Sequence, residues 1–297
     1  MLILKLVVVE LFIYIQKNQL NKRNFVYKMI VWLASYPKSG NTFVRSMLAS
    51  YFFSKDGYYD FSLIKNIKQF PHGGLFQKLG IDINNQSEVI NSYIRVQEII
   101  NKRGSIQFFK THSFFFDKFT NLNNTLGVIY IVRDPRNVIT SFSNFMNMSM
   151  EETLKFMTKG KGDGLSWIEN WSKNYNSWKI FQKHQKYLLI KYEDLIQKPD
   201  KIFLEILEFI HKLHNKSKII IDENKFKNTI KSTSFSNLQK LEKEKGFPEA
   251  HKDQYTGKII PFFSLGSKRD WTKSLDKNTI IELEKNFNQE MKELGYL

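Results

Sequence analysis

Ser35-Tyr36-Pro37-Lys38-Ser39-Gly40-Asn41-Thr42 separates an apolar run from a segment of helical period, and the reading of this junction decides the fold. Upstream, Ile30, Val31, Trp32, Leu33 and Ala34 form a continuous apolar stretch of the kind a buried parallel strand gives. Downstream, Phe43, Val44, Met47, Leu48, Tyr51 and Phe52 recur at helical spacing, with Arg45, Ser46 and Ser50 on the other side. The quoted residues are therefore a strand-to-helix loop, and they suit an anion. Gly40 lets the backbone turn closely, Ser39 and Thr42 bring hydroxyls, Lys38 brings a charge, and the first amides of the helix point outward unpaired. The lysine precedes the glycine, so this is not a Walker A loop. An ordinary turn with an exposed lysine satisfies the same residues, and the loop alone leaves both readings open.

Outward from this loop the same unit recurs. Ile106 to Lys110 reads as a second strand, ending at Thr111-His112, and Leu126 to Val132 as a third with more β-branched residues. The third strand stops at Arg133-Asp134-Pro135. Asp134 is a good N-cap, Pro135 fits the first helical position, and Val138, Ile139, Phe142, Phe145 and Met146 share one helical face. Tyr187 to Lys191 reads as a fourth strand, followed by Tyr192-Glu193-Asp194 and by a helix that Pro199 and Asp200 open. In open α/β sheets ligands bind at the carboxyl ends of the strands, where Lys38, His112 and Arg133 stand. Trp167, Ile168, Trp171, Tyr175, Trp178 and Phe181 predict one long helix whose aromatic stripe is core. Residues 232 to 268 read as a long charge-rich loop, and Asp276 caps a C-terminal helix.

Composition narrows the function classes without choosing among them. The 297 residues suffice for one substantial core, and a net charge of +16 points to an anionic partner: nucleic acid, a membrane surface or a charged small substrate. Much of that charge is scattered lysine among abundant Asn and Ile, which a compositional bias of the genome also produces. The absence of cysteine excludes disulfides and thiolate metal sites and suits a cytoplasmic, non-redox role. His211 and His214 read as a solvated helix end rather than a ligand pair. Leu2 to Ile15 is apolar but short for a membrane span, and it lacks the basic start and small-residue cleavage site of a signal peptide. Residues 1–28 are expected to be an N-terminal extension, either upstream of a native start at Met29 or a peripheral helix. Residues 29–297 are expected to be one domain.

Several motifs, in order, carry a resemblance to a known family. Tyr36-Pro37-Lys38-Ser39-Gly40-Asn41-Thr42 resembles the 5'-phosphosulfate loop of the cytosolic-type sulfotransferases, and Arg133-Asp134-Pro135-Arg136-Asn137-Val138-Ile139-Thr140-Ser141 resembles their 3'-phosphate motif. Lys110-Thr111-His112 resembles the strand end that supplies the family's catalytic base, and Tyr192-Glu193-Asp194-Leu195 a stretch whose tyrosine contacts adenine. Thr233-Ser234-Phe235 is similar to an adenine and phosphosulfate contact, and Gly266 with Asp270-Trp271 to a glycine-rich closing motif. The order holds from about residue 29 to the C-terminus.

The resemblance implies a three-layer α/β/α fold, P-loop-like, with a central mainly parallel sheet. It implies 3'-phosphoadenylyl sulfate as co-substrate, 3',5'-ADP as product, no metal, and sulfuryl transfer to a hydroxyl or amine of a small-molecule or carbohydrate acceptor. His112 would take the acceptor's proton, Lys38 would stabilise the bridging oxygen and Lys110 the sulfuryl oxygens. The co-substrate would be held by Lys38, Ser39, Gly40, Asn41, Thr42 and Phe43, by Arg133 and Ser141, by Tyr192, and by Thr233, Ser234 and Phe235. Phe43 stands where the family commonly has a stacking Trp. Ser264 and Leu265 replace the Arg-Lys that usually precedes the closing glycine, with Lys268 and Arg269 beyond Gly266 as substitute cations. The aromatics Phe70, Phe76, Phe114, Phe115, Phe116 and Phe145, with His72, are candidates for the acceptor's side of the pocket. A nucleotide kinase shares the cradle geometry, and a basic nucleic-acid-binding protein shares the charge. The missing Walker A spacing counts against the first, and only charge and aromatic content support the second, so no specific nucleic acid is expected.

Overall fold

The computed structural model describes residues 28–160, 167–214, 220–252, 256–263 and 270–297, so the expectation for the N-terminal extension lies, but for Lys28, outside the described residues. In chain order, β1 (Ile30–Ser35) leads into α1 (Asn41–Phe53), a 3₁₀ turn (Phe61–Asn66), β2 (Lys68–Gln69), α2 (Gly73–Gln77) and α3 (Gln86–Asn101). Then come β3 (Gln107–Thr111), β4 (Thr125–Val132), α4 (Pro135–Met146), α5 (Met150–Lys159), α6 (Trp171–Ser177), β5 (Tyr187–Lys191), α7 (Tyr192–Gln197) and α8 (Pro199–Leu213). The chain ends through α9 (Glu223–Ser232), α10 (Phe235–Lys245), a small hairpin of β6 (His251–Lys252) and β7 (Ile259–Ile260), and α11 (Trp271–Ser274), α12 (Lys277–Asn286) and α13 (Asn288–Glu293).

The central sheet has the order β2-β3-β1-β4-β5, with every neighbour parallel. Because side chains alternate along a strand, β1 feeds two cores. Ile30, Trp32 and Ala34 pack on one face with Tyr93, Val138, Phe142, Trp171 and Met291, whereas Val31 and Leu33 pack on the other with Val44, Met47, Phe203 and Leu238. That two-sided burial is why the strand reads as a continuous apolar run. Trp32 is the hub of the first core. Its ring lies 5.3–6.3 Å from those of Phe70, Phe109, Phe119 and Trp178, and its Nε1–H donates to Thr125 Oγ1 at 3.0 Å. A buried indole keeps its hydrogen bond in this way.

Three local expectations change. The polar side of α1 does not face water: Arg45, Ser46 and Ser50 are buried along with the other residues from Asn41 to Ser50. Ser50 Oγ donates to the Gly57 carbonyl and Arg45 Nη2 to that of Ile67, so these groups tie α1 to the segment folded over it. The single helix expected over Trp167–Phe181 begins only at Trp171. Glu169 has a positive φ of 59° and Asn170 caps the helix by accepting from Lys173 N–H; a 3₁₀ turn continues it over Trp178–His184. Its rings Trp171, Tyr175, Trp178 and Phe181 are core, as their spacing implies. Finally, the stretch expected to be loop over 232–268 holds α10 and the β6–β7 hairpin. In α10 Phe235, Leu238 and Leu241 alone make an apolar face, narrow enough to be hidden among its charges, while Leu, Gln, Lys and Glu are strong helix formers.

Candidate active site

β1 lies between β3 and β4 although it precedes both, so the strand order reverses at β1, and such a switch point opens a crevice at the carboxyl edge. The register sets Ala34 beside Thr111, Ser35 beside Ile131 and Val132 beside Lys191. The residues that follow these ends, Lys38, His112, Arg133 and Tyr192, therefore meet at one edge, and all four line a single cavity of about 560 Å³.

The Tyr36–Gly40 loop is held by Asn41, whose Nδ2 donates to the Leu33 carbonyl at 2.8 Å and to Ser35 Oγ at 3.2 Å. Lys38 (φ 66°) and Gly40 (φ 100°) both adopt left-handed backbone. Gly40 is required twice over, because a Cβ there would come within 2.4 Å of Tyr192 Cδ2. Phe43 N–H donates back to the Gly40 carbonyl at 3.0 Å, while the Asn41 and Thr42 amides have no carbonyl one turn behind them. The helix start thus presents unpaired backbone amides of the kind that suit an anion. The Lys38 ammonium lies 4.2 Å from the ring centroids of both Phe145 and Phe262.

At the end of β3, His112 Nδ1 stands 2.9 Å from the Ser35 carbonyl oxygen. A carbonyl only accepts, so Nδ1 carries the proton and Nε2 keeps its lone pair. Burial, and then the Lys110 charge, push the imidazole down to about 3, which leaves it neutral. The His112 carbonyl accepts from Asn174 Nδ2 at 2.9 Å, and Asn174 Oδ1 accepts from Tyr130 OH at 2.7 Å, so the ring sits on a buried hydrogen-bonded support.

At the end of β4, Asp134 caps α4 through Arg136 N–H with Pro135 at the first turn, as the sequence predicts. Arg133 is 6% exposed. Its guanidinium lies 4.3 Å from the Tyr192 ring centroid, and Nη1 donates to the Lys38 carbonyl at 3.3 Å. Arg133 Nε and Ser39 Oγ are buried with no protein partner. A buried guanidinium N–H and a hydroxyl left unsatisfied beside a backbone anion site fit a phosphorylated ligand. Ser141, Phe43 and Phe235 line the same cavity. Thr233 and Ser234 do not: the Thr233 hydroxyl donates to the Thr229 carbonyl within its own helix, and Ser234 Oγ pairs with Ser236 Oγ. Gly266, Lys268 and Arg269, and the departures at Ser264 and Leu265, lie outside the described residues.

The opposite wall comes from residues in and beside the segments 54–105 and 240–262 that the sequence offers for the acceptor's side, though none is singled out there by itself. Gln69, Met146, Glu249 and Phe262 line it. Glu249 accepts from Arg45 Nη1 at 2.9 and 3.0 Å and from Lys110 Nζ at 3.4 Å. Burial acts to raise its carboxyl, but the Lys110 and Arg45 charges prevail and hold it below the usual range. Glu242 on α10 accepts from the Phe262 and Phe263 amides at 2.7 and 2.9 Å, fastening the segment that carries them. Of the acceptor-side candidates only Phe145 reaches the cavity: Phe70 and Phe76 are core around Trp32, His72 is exposed, and Phe114, Phe115 and Phe116 pack elsewhere. Gln69 and Glu249 carry no local signal in sequence. Arg45 carries a weak one, as a charge inside an otherwise buried helix.

Comparison with known proteins agrees with this geometry. The family model described as Sulfotransferase domain matches residues 29–295. Human Sulfotransferase 1E1 is 24% identical over 277 residues, which cover 88% of this chain and 83% of that protein. The Amine sulfotransferase of Oryctolagus cuniculus is 24% identical over 282 residues, 89% of this chain and 81% of that protein. Among solved structures, retinol dehydratase in complex with androsterone and inactive cofactor PAP superposes with a TM-score of 0.58 at 16% identity, covering 90% of this chain and 83% of that chain.

Proposed function

The chain belongs to the sulfotransferase domain family, and from that premise we propose that it transfers a sulfuryl group from 3'-phosphoadenylyl sulfate to a small acceptor, with His112 as general base. The observation that carries the assignment of the base is the Nδ1 contact to the Ser35 carbonyl: it leaves a neutral imidazole with a free Nε2 lone pair at the cavity that Lys38 and Lys110 also line.

When bound, the co-substrate supplies an activated sulfuryl group on a phosphate that leaves. The chain's own residues do the rest. His112 Nε2 takes the acceptor's proton as the acceptor oxygen or nitrogen attacks in line, a contribution of roughly 10²- to 10⁴-fold. Lys110 neutralises the sulfuryl oxygens, and Lys38, released from its two rings, meets the charge that grows on the leaving oxygen. The Gly40–Thr42 loop and the α1 amides hold the 5' end, and Arg133 with Ser141 the 3'-phosphate. Phe43, Tyr192 and Phe235 flank the adenosine. Thr233 and Ser234 stand between α9 and α10, just before Phe235, and do not line the cavity.

The acceptor side favours an apolar alcohol, phenol or amine over a carbohydrate. Phe142, Phe145, Met146, Phe262 and Phe263 line the cavity, and a sugar would leave most of its hydroxyls unpaired against them. Retinol dehydratase, whose fold is similar, was solved in complex with androsterone. From the resemblance to the cytosolic-type sulfotransferases we propose a cytoplasmic location; no helix among the described residues is long and apolar enough to cross a membrane.

Thermal stabilisation by 3',5'-ADP, compared with 5'-AMP and ATP, tests the co-substrate. A larger shift with the 3',5'-compound is expected, followed by transfer of labelled sulfate to a panel of phenols, alcohols and amines. Equal shifts for 5'-AMP and 3',5'-ADP would remove the 3'-phosphate from the proposal. Transfer undiminished in His112→Ala would remove the base.

A further inference from the structure

We propose that Glu249 is a positioning residue for the transfer step: Arg45 fixes its carboxylate, and the carboxylate holds the Lys110 ammonium at the cavity wall beside His112. The inference rests on the reading of Lys110 given above, and nothing in the motifs that carry the family resemblance includes Arg45 or Glu249.

Three elements far apart in sequence meet here. Arg45 comes from α1, Lys110 from the end of β3 and Glu249 from the segment between α10 and β6. Arg45 cannot adjust: its side chain is 3% exposed, Nη2 donates to the Ile67 carbonyl at 2.8 Å, and Nη1 contacts both Glu249 oxygens. The carboxylate is thus anchored at one end while Oε2 reaches Lys110 Nζ at 3.4 Å. Lys110 itself is 12% exposed, so little water replaces that partner. The other charges on the described cavity lining, Lys38, Lys110 and Arg133, are all cations.

The groups that face Lys110 act in opposite senses. Burial lowers its pKa, the Glu249 carboxylate raises it, and the Arg45 guanidinium lowers it again. His112, on the same strand end, is neutral and responds in turn to the Lys110 charge. Without the carboxylate, Lys110 would face Arg45 alone from a buried position, and a buried amine in that setting loses its proton or swings towards solvent. Either change removes the cation from the sulfuryl oxygens. A plain clip fastening the wall to α1 makes a different prediction, because an amide at position 249 keeps the shape and an acceptor for Arg45.

Glu249→Gln and Glu249→Asp, compared with wild type over pH 6 to 11, separate the two. In Glu249→Gln, kcat is expected to fall about tenfold with the donor KM little changed, and the alkaline limb of kcat/KM to move down by about 1 pH unit or more. Glu249→Asp, which restores the charge, is expected to return the limb most of the way. The titration of Lys110 is read independently of turnover by NMR after reductive ¹³C-methylation, assigned against Lys110→Arg, and is expected to move with the limb. Superimposable alkaline limbs and an unmoved Lys110 titration in Glu249→Gln overturn the inference. If wild type transfers no sulfate, the reading of the reaction fails instead, and the NMR titration still decides whether Glu249 holds the Lys110 charge.

Discussion

The two walls of the cavity are made in different ways. On the donor side, three of the contributing residues follow strand ends: Lys38 after β1, Arg133 after β4, Tyr192 after β5. The parallel sheet brings these ends together whatever the side chains are, and the loop's left-handed residues and helix start offer an anion their backbone amides. The opposite wall has no such frame. The described residues 247–252 and 256–263 are held in part by side chains reaching across the chain, Arg45 to Glu249 over 204 positions and Glu242 to the Phe262 and Phe263 amides. One wall is fixed by topology and the other by side chains, through a few polar contacts and the packing of Phe247 and Phe263 into the core. On the proposed reading, the first wall holds the donor and the apolar part of the second meets the acceptor.

The largest effects are expected on the topological wall. His112→Ala should lower turnover by roughly 10²- to 10⁴-fold while the thermal shift given by 3',5'-ADP stays near that of wild type. The same ring sets a pH dependence. With His112 held near 3 by burial and the Lys110 charge, the base is already free at pH 5, so the acid limb of kcat/KM should not lie in the ordinary histidine range. Because the folded value lies below the unfolded value of about 6.5, the unfolded chain takes up a proton that the native ring refuses. Stability contributed by this group is therefore full above about 6.5 and is lost as pH falls towards 3. An acid limb at pH 6 to 7 would show that the ring is more open to water than its contact with Ser35 implies.

Gly40→Ala comes next. The new Cβ would strike Tyr192 at 2.4 Å, and left-handed backbone costs a non-glycine residue about 1–2 kcal/mol before that clash is relieved. A lowered Tm should accompany loss of the 3',5'-ADP shift, because the Tyr192 ring that must move also lies under Arg133. A variant that melts early yet keeps full nucleotide binding would separate the loop from the donor site.

Glu242→Gln probes the other wall and should act more mildly. It weakens two hydrogen bonds to backbone amides, a loss of about 1–3 kcal/mol for contacts to a charged acceptor. If that wall serves the acceptor, acceptor KM should rise several-fold with nucleotide binding unchanged. Equal loss of both would mean that the two walls are not independent.

The same contrast explains what was legible in sequence. β1, β3, β4 and β5, the caps Asp134 and Asp276 and the cradle are local patterns: apolar runs, period changes and capping residues within a few positions. Glu249 was not legible and Arg45 only weakly so, since their meaning arises only when 204 positions close on each other. The β6–β7 hairpin was hidden because its strands are two residues each, and α10 because charges crowd its narrow apolar face. Phe70 and Phe76 looked like pocket aromatics because ring type says nothing of direction; the Trp32 cluster had claimed them.

Thr233 is where the family pattern and the geometry part, and it supplies the smallest expected effect. By resemblance its hydroxyl contacts the adenosine end of the donor, yet it is fully buried, donates to the Thr229 carbonyl at 2.7 Å and is absent from the cavity wall. Thr233→Val keeps the shape and removes that donor. Since the Thr229 carbonyl still accepts from the Thr233 amide at 3.0 Å, the cost in stability should be at most about 1 kcal/mol. Affinity for 3',5'-ADP, followed by calorimetry, should change less than about twofold, well under the tenfold that 1.4 kcal/mol of lost contact would give. A tenfold loss would mean that the end of α9 rearranges when the nucleotide binds, moving the hydroxyl from its own helix to the ligand. That outcome would place α9 and the start of α10 with the wall that responds to ligand, and leave only the strand ends in the wall that topology fixes.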